Sequence, residues 1–310
     1  MRFASTASAL PFDLLAAGSV VSIGAYDGLH VGHRRLLQRV VDEAHARQMP
    51  SVVMSFEPMP KEFFAGDSPP ARLMRFREKF EALAEIGIDL FFCQRFDRRM
   101  RQIEPDTFVR QLLVQALNVR HLVVGDDFRF AVARKGNIEL LRRAGAALDF
   151  GVEKVGSVTI DGQRVSSTAV RHALQAGDMD RARILLGRWF RMSGKVVEGQ
   201  SLGHAVGYPT ANIKLNRRLS PVLGIFAVRV SGLAAEPVDG VASVVNRPTF
   251  SGVKPFLDVH LLDFDETIYG RYIHVDFIAR LRDEIKFDNV NELVAQMHRD
   301  SAAAREILAA

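Results

Sequence analysis

The hydrophobic periodicity of this chain changes once, near Gly187, and that change constrains the fold more than any other feature. Before it, short apolar runs alternate with amphipathic stretches. Val20 to Gly24, Ser51 to Phe56, Asp89 to Gln94 and His121 to Gly125 read as buried strands. Val31 to Arg47, Arg72 to Ile86 and Pro105 to Leu117 carry apolar residues at helical spacing, and Asp106 and Thr107 behind Pro105 make a good helix start. Strand and helix in alternation predict an α/β domain with a parallel, doubly wound sheet. Ligands in such sheets sit beyond the carboxyl ends of the strands, where Gly24 and Gly125 fall. After Gly187 the helical spacing stops. Gly194 to Glu198, Ile225 to Val230, Val241 to Val245, Leu257 to Leu262 and Tyr272 to Ala279 read as strands punctuated by Pro and Gly, which predicts an antiparallel barrel or sandwich. A last helix, Val290 to Leu308, is expected on its outside. The expected domains are residues 1–186 and 187–310.

A chain of 310 residues also exceeds what one hydrophobic core commonly spans. Its net charge of +5 suits anionic ligands, but the basic residues occur as scattered pairs such as Arg34-Arg35 and Arg217-Arg218. Nucleic-acid binding would require clustered basic residues with interleaved aromatics, so it is not expected. The single cysteine, Cys93, lies in an apolar run and cannot form an internal disulfide. Together with the absence of any apolar stretch of the ~20 residues a membrane helix needs, this predicts a cytoplasmic protein without a membrane partner. Asp13 and Pro11 interrupt the mildly apolar start, which argues against a signal peptide.

Gly24 to His33 reads Gly-Ala-Tyr-Asp-Gly-Leu-His-Val-Gly-His, where a strand hands over to a helix. Backbone N–H groups and the positive end of a helix dipole meet there, and imidazoles can donate hydrogen bonds to phosphates. Gly24, Gly28 and Gly32 let a nucleotide approach closely, with Asp27-Gly28 forming a tight turn. Taken alone, His30 and His33 fit a surface pair or a partial metal site as well, although no Cys or third His nearby completes such a site.

Further clusters follow. Ser166-Ser167-Thr168-x-x-Arg171 offers hydroxyls that can cap a helix, at Ser167 and Thr168, and also an anion site with Arg171 one turn in. Gly125-Asp126-Asp127-Phe128-Arg129-Phe130 follows a buried strand with a mixture of acids, aromatics and an arginine. Pro209-Thr210-Ala211-Asn212 comes after Gly199, Gly203 and Gly207; it fits either a turn into a strand or a site for phosphates and a hard cation. Thr210 and Asn212 alternate along an extended segment and share one side.

Gly24-x-x-Asp27-Gly28-x-His30-x-Gly32-His33 with Ser166 to Arg171 resembles a nucleotidyltransferase signature. With Ser55-Phe56-Glu57-Pro58 and Gly125 to Phe130, the match narrows to the bacterial bifunctional riboflavin kinase/FMN adenylyltransferase family. Pro209 to Asn212, Arg247-Pro248-Thr249-Phe250 and Val259-His260 extend it through the second half. The resemblance implies a Rossmann-like nucleotidyltransferase domain and a β-barrel kinase domain. It implies ATP as co-substrate, riboflavin, FMN and FAD as substrates or products, and Mg²⁺. His30 and His33 would be catalytic in adenylyl transfer. Gly24, Asp27, Gly28, Gly32, Ser167, Thr168 and Arg171 would bind ATP, and Phe56, Pro58, Gly125, Asp126, Phe128 and Phe130 are flavin candidates. In the kinase, Gly203, Gly207, Thr210 and Asn212 would bind ATP, Thr210 and Asn212 would hold the metal, and Asp258 would be the base.

The chain departs from the family pattern at named positions. Asp258 stands for a usual Glu, Val245 for a Gly, His204 for an Arg, Ala25 for an Asn, Met59 for a His and Ala131 for a Gly. A carboxylate one methylene shorter retreats by roughly 1 Å, a misplacement that can cost about 10²-fold in rate. These departures define two rival readings: an adenylyltransferase with weakened or lost kinase activity, and a non-catalytic flavin- or nucleotide-binding regulator.

Overall fold

The computed structural model describes residues 1–66, 68–198, 210–249 and 252–309. They divide into two compact units, Met1–Pro70 with Phe76–Val165, and Ala71–Arg75 with Ser166–Ala310.

The first unit is built on a parallel sheet. In chain order its elements are β1 (Arg2–Ala4), α1 (Phe12–Leu15), β2 (Ser19–Ile23), α2 (Val31–Arg47), β3 (Ser51–Glu57), α3 (Pro60–Ala65), α4 (Phe76–Ile86), β4 (Leu90–Arg95) and α5 (Arg98–Arg101). Then come α6 (Pro105–Thr107), β5 (Val119–Gly125), α7 (Ile138–Leu148), β6 (Gly151–Val155) and the hairpin β7 (Thr159–Ile160) and β8 (Gln163–Arg164). The sheet order is β1-β4-β3-β2-β5-β6, with parallel pairing throughout. Every residue of β2 is buried, as expected for a central strand covered on both faces, whereas the edge strand β6 is not. The chain winds outward from β2 through β3 to β4, then returns to β5 on the other side of β2. The order therefore reverses between β2 and β5, and the carboxyl ends of these two strands flank the crevice where such sheets bind ligands. Gly24 follows β2 and Gly125 ends β5.

Two helical expectations need correction. The stretch from Arg72 is helical only from Phe76. Residues 71–75 are held in the second unit instead: the guanidiniums of Arg171 and Arg217 donate to the carbonyls of Ala71 (2.6 Å) and Arg72 (2.5 Å), and Arg75 donates to the Leu215 carbonyl at 2.7 Å. Carbonyls captured by side chains do not feed a helical ladder. From Phe108 to Ala116 the expected α-helix has π-helical bonding, closed by Leu117 N–H donating to Leu112 at 3.1 Å.

The second unit contains α8 (Ser167–Ala176), α9 (Met179–Leu186), β9 (Phe190–Val197), β10 (Thr210–Lys214), β11 (Gly224–Ser231), β12 (Val238–Thr249), β13 (Gly252–Leu261), β14 (Tyr272–Arg282) and α10 (Val290–Ala309). Its six strands close into an antiparallel barrel, β10-β13-β12-β11-β14-β9, so the barrel reading holds and the sandwich does not. Phe190, Phe226 and Phe277 are fully buried, with Phe226 edge-on to Phe277 at 5.2 Å. Helix α10 packs Ala304 and Leu308 against Val241, Ile278, Ala279 and Leu281 on the outside, and Arg282 clamps Asp300 at 2.7 and 2.9 Å.

Candidate functional site

The turn after β2 is held from several sides. Gly24 N–H donates to Met54 of β3 at 3.1 Å, and the Tyr26 hydroxyl meets Ser22 Oγ at 2.6 Å beneath the turn. Tyr26 and Leu29 adopt left-handed backbone, with φ of 48° and 43°. Asp27 is buried. The glycines have a packing role: a Cβ on Gly24 would stand 2.8 Å from the Tyr26 ring, and one on Gly32 would stand 3.2 Å from His30 Nδ1.

His30 is the N-cap of α2. Its Nδ1 accepts the His33 N–H at 3.2 Å, which fixes the tautomer: the proton of the neutral ring lies on Nε2. The rings of His30 and His33 stack with centroids 3.6 Å apart, and Tyr26 meets His33 edge-on at 5.3 Å. Burial pulls His30 down to about 4, with Arg164 adding to the effect. Burial, then the charges of His30 and Lys79, push His33 well below its ordinary value. Both imidazoles are therefore neutral at pH 7. The Nδ1 of His33 is enclosed without a hydrogen-bond partner, which leaves Nε2 as the ring nitrogen open to a ligand. The result is a pair of neutral N–H donors at the positive end of a 17-residue helix, a geometry suited to phosphate oxygens.

Around this turn, Asp126 is exposed and accepts from Ser157 N–H at 3.0 Å and Ser157 Oγ at 2.8 Å, while Arg164 pairs with Asp127 at 2.8 Å. Hydrogen bonds from Ser157, opposed by partial burial, leave Asp126 below the usual carboxylate range. Phe130 belongs to the core, packed on Phe108 at 5.1 Å and stacked on the half-buried Phe128 at 5.8 Å. Phe56 stands edge-on to Phe96 at 5.7 Å, and Pro58 is half-buried just beyond β3. Lys79, absent from the sequence reading, is buried and donates to the Ala25 carbonyl at 2.6 Å. The signal was present: a lysine on the same side of α4 as Ala82 and Leu83.

In the second unit, the cap of α8 is Ser166, which accepts Ala169 N–H at 3.2 Å. Ser167 and Thr168 are thus the first helical residues rather than the cap. Arg171 donates to the Ala71 and Ser167 carbonyls at 2.6 and 3.1 Å.

The barrel wall carries a separate cluster. In the ladder Asn212 stands opposite Asp258, Thr210 opposite His260, and Ser243 opposite Asp258 from the other side. Paired residues share a face, and these are half-buried while Ala211, Ile213, Val259 and Leu257 between them are buried. Thr210, Asn212, Ser243, Asp258 and His260 therefore lie on the outward side of the barrel wall. Asn212 Nδ2 donates to the Thr210 carbonyl at 3.4 Å, which leaves Oδ1 as its acceptor. Hydroxyl, amide and carboxylate oxygens on one face are the hard donor set that Mg²⁺ prefers. Val245 is in the regular ladder opposite Phe256 and is not among the left-handed residues, so a β-branched side chain fits there. Ala131 is different: its φ of 63° with ψ of −173° is a conformation essentially reserved for glycine. Gly199, Gly203, His204, Gly207 and Pro209 lie outside the described residues, as does Phe250.

Comparison with known proteins covers both units. The FAD synthetase family model matches residues 14–169 and the riboflavin kinase model residues 186–308. The chain is 47% identical to the bifunctional riboflavin kinase/FMN adenylyltransferase of Escherichia coli K12, over 93% of this chain and 92% of that protein. It is 40% identical to the protein of the same name from Haemophilus influenzae, over 93% of this chain and 94% of the relative. A solved structure named as a macrolide-efflux protein from Streptococcus pneumoniae matches with a TM-score of 0.78 at 30% identity, covering 93% of each chain. Among the described residues, no helix is long and apolar enough to cross a membrane.

Proposed function

The chain belongs to the bifunctional riboflavin kinase/FMN adenylyltransferase family, and on that premise we propose how its residues divide the work. The enzyme phosphorylates riboflavin to FMN with ATP, then adenylylates FMN to FAD with release of pyrophosphate. The proposed division is residues 1–186 for adenylyl transfer and 187–310 for the kinase, in line with the two family matches.

In adenylyl transfer, an FMN phosphate oxygen attacks the α-phosphorus of ATP, and the bond to the β-phosphate oxygen breaks as pyrophosphate leaves. The nucleophile is already an anion, so no base is required. The Nε2–H groups of His30 and His33 donate to the α-phosphate, where charge builds up in the transition state. Because both rings are neutral before substrate arrives, they act as fixed dipoles and need no change of protonation. Gly24, Asp27, Gly28 and Gly32 shape the turn; Ser167, Thr168 and Arg171 supply hydroxyls and a cation for the β- and γ-phosphates. Phe56, Pro58, Gly125, Asp126 and Phe128 are the proposed flavin side, with Phe130 supporting Phe128 from the core.

In the kinase, Asp258 takes the proton of the ribityl 5′-hydroxyl as its oxygen attacks the γ-phosphorus and ADP leaves. Thr210 and Asn212 would hold Mg²⁺, which neutralises phosphate charge when bound. The cross-strand pairing of Asn212 with Asp258 supports this role for the shorter carboxylate, because it sets the base and the proposed metal ligand on one face.

The observation that carries the reading is the stacked neutral imidazole pair at the helix start. Chromatographic separation of flavins after incubation with riboflavin, ATP and Mg²⁺ tests it. FMN and FAD are both expected. Failure to form FAD from added FMN would sink the adenylyl-transfer assignment, and failure to form FMN would sink the kinase assignment.

A further inference from the structure

Lys79 plays no part in the mechanism above, yet its position is costly. It is 4% exposed, on the side of α4 that also buries Glu78, Ala82 and Leu83. A buried ammonium loses its hydration, and an unbranched apolar side chain would fill the same space without that loss. The ammonium instead reaches the Ala25 carbonyl at 2.6 Å, inside the turn that carries His30 and His33. Ala25 is also the position at which the turn lacks the amide side chain common in the family.

We propose that Lys79 is a positioning residue for adenylyl transfer: it anchors the Gly24–Gly28 turn through the Ala25 carbonyl and places a fixed positive charge beside the imidazole pair. This inference rests on the adenylyl-transfer reading of the turn.

The charge has a second consequence. The groups facing His33 are the stacked His30, the edge of Tyr26 and Lys79 of α4, with Asp27 buried in the same turn and Arg164 acting on His30. A cation beside an imidazole disfavours its protonation, and Lys79 contributes to the lowering of His33 after burial and His30. Removal of that cation should raise the pH at which His33 takes up a proton. The acid limb of FAD formation then moves to higher pH, because protonation places an N–H on the enclosed Nδ1 of His33, where it meets no acceptor, and displaces the ring.

The test compares Lys79→Met and Lys79→Arg in the full chain. Three readouts are used: FAD formation from FMN and ATP across pH, FMN formation from riboflavin as internal control, and NMR titration of the histidine rings. Lys79→Met should lower kcat for FAD by about tenfold or more, the scale of losing one electrostatic group at such a site, while FMN formation stays within about twofold. Its acid limb and the His33 titration should move upward. Lys79→Arg, which keeps the charge, should leave both in place even if the longer side chain lowers the rate. An unchanged FAD rate and limb in Lys79→Met overturns the proposal. So does a lower rate with an unmoved limb and unmoved His33 titration, which would make Lys79 a packing residue. If Lys79→Met fails to fold, a shifted limb in Lys79→Arg overturns it as well. Loss of FAD formation in His33→Ala separates the two readings: if His33→Ala retains full activity, the adenylyl-transfer reading itself is wrong.

Discussion

The imidazole turn and the barrel-wall cluster, proposed above as the two phosphate-handling sites, are built in opposite ways. The turn is contiguous in sequence, lies at the reversal point of a parallel sheet, and buries two histidines, which lowers their tendency to charge. The barrel cluster is half-exposed and assembled by register from three strands, with Thr210, Asn212, Ser243 and Asp258 brought together from across the chain. The proposed role of the first rests on two imidazoles held below their ordinary pKa, that of the second on oxygen ligands and a carboxylate set on one face. Substitutions should therefore separate the two activities cleanly.

The largest expected effect is at the barrel. Asp258→Asn keeps the side-chain shape and removes the proposed base, so the rate of FMN formation should fall by about 10²- to 10⁴-fold. FAD formation from supplied FMN should be unchanged, as read by flavin chromatography. A kinase that survives this change would show that the carboxylate is not the base.

The mirror experiment is at the turn. His33→Ala should reduce pyrophosphate release from ATP and FMN by about 10²- to 10³-fold, with riboflavin phosphorylation intact. His30 permits a finer division because its Nδ1 caps α2 while its Nε2–H is left for the proposed phosphate contact. Asn is a good N-cap, so His30→Asn should keep stability while losing adenylyl transfer, whereas His30→Ala should lose the activity and about 1 kcal/mol of stability besides. Equal activity of His30→Asn and wild type would show that the ring serves only as a cap.

The contrast also predicts different responses to acid. The folded-state value of His30, about 4, lies below the ordinary 6.5. Between those values the unfolded chain binds more protons than the native protein, so stability rises with pH across about 4 to 6.5 and is lost as pH falls through that window. Between neutral pH and a pH below about 4, His30 accounts for a loss of roughly 3 kcal/mol of stability by the linkage relation. Denaturant titrations from pH 4 to 7 should show this slope in wild type and a shallower one in His30→Asn. A slope that is identical in the two proteins would place the acid sensitivity elsewhere.

How far the two regions could be read from sequence differed for the same physical reason. The turn and α2 follow from local signals: an apolar run, glycines, an Asp-Gly turn and helical spacing, and Val31–Arg47 has the expected ends, whereas the cap by His30 appears only in the structure. The barrel cluster depends on which residues pair across strands, and Asn212 opposite Asp258 is set by register, which local periodicity does not encode. Segments whose backbone is satisfied by distant side chains also escape local periodicity. Residues 72–75 look helical until the guanidiniums of Arg171 and Arg217 are seen to take the carbonyls of Ala71 and Arg72 at the start of the segment. Helices α8 and α9 carry the periodicity of the first half, yet α9 packs on β9 and β14 of the barrel. The place of Lys79 on an apolar face is visible in the sequence, but a single lysine there acquires meaning only when the carbonyl it reaches is known.

The smallest predicted effect concerns the departures from the family pattern, which likewise divide between the two regions. Val245 occupies a regular strand position in the barrel, where replacing a glycine by a β-branched residue suits the pleat. Ala131 in the first unit sits at φ 63° and ψ −173°, next to Ala133 and Arg134, which are also left-handed. A Cβ in that region strains the backbone by about 1–3 kcal/mol, and glycine removes the strain at the cost of greater freedom in the unfolded chain, about 0.5–1 kcal/mol. The difference favours glycine, so Ala131→Gly should raise the unfolding midpoint modestly. Val245→Gly, which takes a side chain out of a strand that uses it, should lower it. Thermal melts of the two variants measure both signs, and a destabilised Ala131→Gly would mean that the loop after Phe130 relaxes its alanine without strain.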